Sequence, residues 1–167
     1  MEDRKLNIED EKHYEWIVSS YNKLLGDYIF GTSITEALIN FSIAKLLKMD
    51  GEQADLFVKI VIMEFSFWKK FNIYKKLLKE KHLNIYNENK TSIDRFSTLF
   101  IVRNTLAHSF VAIDAVELGR KDKSKIAYRN VSNNLNEKIY LDLRIADEEV
   151  KELQSLNYIF KKIDECI

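Results

Sequence analysis

The stretch Leu99-Phe100-Ile101-Val102-Arg103-Asn104-Thr105-Leu106-Ala107-His108-Ser109 is an apolar helical run that abruptly offers an arginine, an asparagine and a histidine within about two turns. Arginine is a permanent cation with a planar fork of donors suited to phosphate oxygens, and histidine exchanges protons near neutral pH. Together they form a minimal kit for phosphodiester chemistry. RNA supplies its own nucleophile, the 2′-OH, so cleavage needs only a base for that proton, an acid for the 5′-oxygen and positive donors for the developing phosphorane charge. His108 suits proton transfer, Arg103 suits forked hydrogen bonding to the scissile phosphate, and Asn104 suits orienting His108 or a phosphate oxygen. The product of such a reaction is a 2′,3′-cyclic phosphate, and DNA, lacking the 2′-OH, is inert.

At 100° per residue, with Arg103 at zero, Asn104 falls at about 100°, Ser97 at about 120° and His108 at about 140°. Ser97, Asn104 and His108 therefore share one polar stripe. Phe96, Leu99, Val102 and Leu106 occupy the opposite, core-facing flank, with Arg103 at its border, where its stem can lie on apolar surface while the head reaches outward. Phe100 and Ile101 bracket the stripe, a pattern that predicts a homodimer interface enclosing a site.

The form Arg103-Asn104-x-x-x-His108 resembles the Arg-x4-6-His signature of the HEPN superfamily, and Ser109 after the histidine fits the same pattern. The resemblance implies a small helical bundle and, for many members, metal-independent endoribonuclease or toxin activity. It also implies pairing of two subunits whose motifs line a shared cleft, with Arg103, Asn104 and His108 as the catalytic residues and RNA as substrate. An antitoxin or other regulatory protein is a further implied partner. The alternative function is a non-catalytic HEPN-like module that binds RNA, a nucleotide or a protein partner through the same cleft; a plain helical scaffold is a third reading.

The composition of the 167 residues fits one domain, 1–167, with 46% hydrophobic residues, no proline and four glycines, favouring long uninterrupted helices. The start Met1-Glu2-Asp3-Arg4-Lys5 has no apolar signal core, and Lys59 and Glu64 interrupt the most apolar run, so no membrane association is expected. The single cysteine, Cys166, permits no internal disulfide and no cysteine-based zinc site, and a reducing cytoplasm is expected. Neither a Gly-rich phosphate loop nor a metal-spaced His/carboxylate cluster is present, so no metal and no cofactor are expected. Net charge is zero but unevenly spread. Residues 1–64 carry 7 basic and 12 acidic side chains, residues 65–129 carry 14 and 6, and residues 130–167 carry 5 and 8. The basic excess coincides with the Arg/His motif and can attract a polyanion; facing acidic and basic helices would explain it equally well.

The predicted fold is mostly α: a single helical bundle with a small β-hairpin, about 126–143, inserted before the C-terminal helix. Apolar periodicity predicts helices over 8–30, ended by Gly31, over 34–49 behind a Ser33…Glu36 capping box, over 52–64, and over 67–81 behind Ser66. Asn84 to Lys90 reads as a polar connector, followed by the motif helix, capped by Thr91 or Ser92 and running to about Val111. Two period-two segments, 126–131 and 138–143, flank the turn-rich Ser132–Asn136, and a last helix spans 147–166.

Each candidate residue also has a plain structural reading. His108 could sit at the helix C-terminus for the dipole, bonded to a carbonyl. Arg103 could pair with Asp94, Asp114 or the last helix, and Asn104 could cross-link helices. His13 and His82 lack partners at ligand spacing and read as surface residues. The Phe65–Lys76 stretch, with aromatics among lysines, could stack bases, but fits an amphipathic helix with a lysine-rich outer face better.

Overall fold

The computed structural model describes residues 8–120, 122–131 and 137–167. Their order is α1 (Ile8–Leu46), α2 (Gly51–Ile60), a short 3-10 turn (Ile62–Glu64), α3 (Phe67–Lys81), α4 (Leu83–Ala107), β1 (Ser109–Val111), α5 (Ala115–Leu118), β2 (Lys125–Asn130), β3 (Ile139–Asp142) and α6 (Leu143–Cys166). The fold is mostly α with a β-hairpin before the C-terminal helix, and β1 joins that hairpin in an antiparallel sheet of order β1-β2-β3. The chain divides into two compact units. One comprises the described residues within Met1–Ile29 and Phe100–Lys151, the other Phe30–Leu99 with Glu152–Ile167. The predicted hairpin turn, Ser132–Asn136, lies outside the described residues.

Several predicted boundaries are corrected. Gly31 does not end a helix, and α1 runs without a break from the predicted 8–30 segment into the predicted 34–49 segment, as far as Leu46. Gly31 stays helical because its role is a close approach: a Cβ there would lie 2.5 Å from Leu153 Cδ2 and 2.8 Å from Leu153 Cγ. The expected capping box is unused, since Glu36 Oε1 instead accepts from Lys70 Nζ at 2.8 Å. The real end of α1 is at Leu46, where Lys48 takes a left-handed φ of 61° and Met49 N donates to Ala44 O at 3.0 Å. The predicted 52–64 helix stops at Ile60 and tightens into the 3-10 turn.

The polar connector at 84–90 is part of α4, because a polar run without proline or glycine has nothing to interrupt the backbone ladder. At its other end α4 stops at Ala107, four residues early, because Ser109–Val111 pairs with Asn130–Tyr128 and strand pairing outweighs local helical periodicity. Finally, α6 starts at Leu143 and not Asp147: Asp142 Oδ1 accepts the Arg144 N–H at 3.0 Å, which caps the helix and holds the Asp142 carboxyl below its usual range.

The second unit is built on an aromatic core. Phe67, Phe71 and Tyr74 of α3, Phe96 of α4 and Phe160 of α6 are buried, with ring centroids 5.1 Å apart for Phe96–Phe160 and 5.9 Å for Phe71–Phe96 and Tyr74–Phe160. Phe67, Phe71 and Tyr74 of the 65–76 stretch thus pack inward as an amphipathic helix would have them, while Trp68 stays exposed. Lys70 is itself buried against Glu36, a pair that leaves an uncompensated charge if either partner is removed. In the same unit Ser42 Oγ donates to Asp164 at 2.7 Å, and Thr35 bonds Asn157.

Candidate active site

The first unit holds the motif, and side chains tie down the C-terminal end of α4. A helix leaves its last carbonyls without intrahelical donors. Here Leu106 O accepts from the Tyr21 hydroxyl of α1 at 2.7 Å, and Ser109 Oγ donates to Thr105 O at 2.5 Å. Burial first, then the neighbouring Tyr128, push the Tyr21 phenol up to about 12, while the Ser109 hydroxyl acts the other way. A buried tyrosine therefore anchors the turn that carries the histidine. Sequence reading placed Tyr21 on an apolar face but gave no signal for this role, which depends on a contact 85 residues away.

His108 is the first residue past α4. Its N–H still donates to Asn104 O at 3.1 Å, and its carbonyl accepts from Val131 N at 3.0 Å, so the peptide is tied both to the helix and to the strand end. The side chain is exposed and makes no hydrogen bond among the described residues. The expected carbonyl contact of a merely structural histidine is absent there.

Arg103 is half-buried. Its guanidinium lies 5.5 Å from the centre of the Phe100 ring, Nη1 donates to Asn104 Oδ1 at 2.7 Å, and Nε is buried without a hydrogen-bond partner among the described residues. None of the ion pairs foreseen for it forms. Asp114 is taken by Lys138 at 2.7 Å and Arg129 at 4.0 Å, and the arginine that reaches α6 is Arg95, forked onto Glu152 at 2.7 to 3.0 Å. The Lys138 contact also holds the Asp114 carboxyl below its usual range. Asn104 thus spends its oxygen on Arg103 and stands one turn before His108, with its amide free to donate.

Ser97 is half-buried and donates to Asp94 O at 2.6 Å, so it contributes polarity to the stripe without reaching the Arg/His pair. Of the two predicted apolar shoulders only Ile101 is exposed, at 54%; Phe100 is buried at 5%, with the Arg103 guanidinium over its ring. His13, read as a surface residue, lines a cleft of about 460 Å³ with Glu9, Asp10, Lys12, Arg120 and Lys123; no motif residue lines it. His82 borders a smaller surface cleft with Lys81 and Asn84. Among the described residues no group of three or more His, Cys, Asp or Glu side chains is placed to hold a metal ion, and no helix is long and apolar enough to cross a membrane.

The Tyr21 anchor carries its own test. Tyr21→Phe leaves the Leu106 carbonyl without its donor and lowers stability by about 1 to 2 kcal/mol. Because the folded-state pKa lies above the unfolded one, the stability that the wild-type phenol contributes is complete below pH 10 and is lost as pH climbs toward 12. Urea unfolding from pH 8 to 12 reads both effects: the wild type declines over that window, and Tyr21→Phe lacks this part of the decline.

No protein-family model, no curated protein and no solved structure matches this chain.

Proposed function

We propose that this chain is a HEPN-type, metal-independent endoribonuclease that works as a homodimer, in a cytoplasmic toxin or host-defence setting where a partner protein restrains it. The observation that carries the reading is the chemical availability of the motif. An exposed histidine with an uncommitted imidazole follows, at one helix end, a half-buried arginine that forms no ion pair among the described residues and is steadied by the intervening asparagine. A structural motif would be expected to consume these donors and acceptors internally. The exposed Ile101 beside the polar stripe supports burial of this face against a second copy.

In this mechanism one His108 removes the 2′-OH proton and the His108 of the second copy protonates the 5′-oxygen. Arg103 holds the scissile phosphate, and Asn104 fixes the Arg103 fork. One imidazole must be neutral and the other charged, so the rate follows a bell-shaped pH profile. The test is cleavage of a mixed RNA pool from pH 5 to 9, beside sedimentation at micromolar concentration. A bell-shaped profile from a dimer is expected. A monomer, or intact RNA at every pH with salt-sensitive binding that His108→Ala does not alter, overturns the reading in favour of a binding module.

A further inference from the structure

The β1–β2 ladder places Phe110 directly opposite Arg129, so the two side chains share one face of the sheet, and Val131 lies just past the end of β2. The strand pair is tied to the motif, because Val131 N donates to the His108 carbonyl at 3.0 Å. Its residues are not those of an ordinary covered face. Phe110 is 47% exposed and Val131 62%, although a strand this short could have placed polar side chains outward, and the Phe110 ring stacks on no other ring among the described residues.

Arg129 is similarly under-committed. Its ion pair with Asp114 spans 4.0 Å, while Asp114 makes its close contact with Lys138 at 2.7 Å, and Arg129 Nε is buried without a hydrogen-bond partner among the described residues. An open aromatic ring and a loosely compensated arginine, side by side on a strand pair bonded to the proposed catalytic histidine, match the two needs of a single-stranded nucleic acid. One is a π-face for a base and the other a cation for the adjoining phosphate. Charge agrees with this occupant, since residues 100–131 carry six basic and three acidic side chains.

We infer that this sheet face is a binding subsite for single-stranded RNA, in which a base beside the scissile phosphate stacks on Phe110 and the next phosphate is held by Arg129. The inference deepens the ribonuclease reading and rests on it for the word scissile, but binding alone is measured separately from cleavage. Stacking on one aromatic side chain is sequence-tolerant and amounts to roughly tenfold or more in affinity.

The experiment uses a fluorescein-labelled, fully 2′-O-methylated twelve-nucleotide uridine strand, which lacks the nucleophile and so reports binding only. Titrations with the full chain compare the wild type with Phe110→Leu, Phe110→Tyr, Arg129→Gln and His108→Ala across a salt series, with sedimentation of each. Phe110→Leu should weaken binding about tenfold while keeping the wild-type salt slope, and Phe110→Tyr should restore it. Arg129→Gln should weaken binding and flatten the salt slope by about one phosphate contact. With unmodified RNA at saturating concentration Phe110→Leu should still cleave whereas His108→Ala should not, so loss of the subsite and loss of cleavage remain distinguishable. The proposal is overturned if Phe110→Leu binds like the wild type. It is also overturned if that variant changes the oligomeric state, which would make the face a contact between copies of the chain.

Discussion

On the proposed mechanism, His108→Ala should lower the rate of RNA cleavage by about three orders of magnitude without lowering the melting temperature. The size follows from its assigned role, since a positioned general acid or base contributes roughly 10²- to 10⁴-fold, and in the proposed dimer loss of the residue from both copies removes both proton-transfer partners. The absence of a stability cost follows from position. The imidazole is exposed and forms no hydrogen bond among the described residues, and what holds this turn in place is the backbone, tied to Asn104 and Val131. On the same mechanism Arg103→Ala should lower the rate by about 10² to 10³, as expected for one donor to developing phosphorane charge. It also loosens Asn104, whose oxygen is then unpaired. Single-turnover cleavage of a labelled RNA, beside thermal melts of each variant, reads both quantities. A variant that melts with the wild type and cleaves at the wild-type rate would remove its residue from the chemistry.

The second large effect is on stability. Phe96 is fully buried and meets Phe160 at 5.1 Å and Phe67 and Phe71 at 5.9 Å, so Phe96→Ala opens a cavity at the centre of the aromatic cluster. The cost is about 3 to 5 kcal/mol, which lowers the melting temperature by roughly 10 °C for a chain of this size. Phe30→Ala is the control. That ring is 71% exposed, and its loss stays within about 0.5 kcal/mol. Calorimetry of the two variants separates them, and equal melting temperatures would contradict the account of the core.

Helix existence was legible in this chain because apolar residues recur at helical spacing and no proline interrupts them; α3 begins and ends at the predicted residues, 67 and 81. Boundaries were less legible where a local signal competed with a distant contact. Gly31 looks like a terminator in sequence, and only the Leu153 side chain packed against it explains why it stays in a helix. Ser109 to Val111 continues an apolar helical pattern, and only the partner strand at 128–130 turns it into β1. The 84–90 segment lacks apolar periodicity, yet it is helical because nothing in it stops the ladder.

The candidate site shows the same division. The residue types at 103, 104 and 108 and their spacing are properties of one helix and could be read directly. The Asn104 side chain bonds its neighbour Arg103, whereas the sequence pointed to His108 or a phosphate oxygen as its partner. Tyr21, Phe110 and Arg129 come from other elements, and their relation to the motif exists only once α1 and the sheet are in place.

The central claim is that His108 and Arg103 cleave RNA by attack of its own 2′-OH, and the chemistry of the product ends tests it most directly. A mixed RNA pool incubated with the pure chain in the presence of EDTA should yield 2′,3′-cyclic phosphate and 5′-hydroxyl ends, at a rate EDTA does not change. Cleavage that EDTA abolishes, products with 3′-hydroxyl and 5′-phosphate ends, or RNA that stays intact would contradict it.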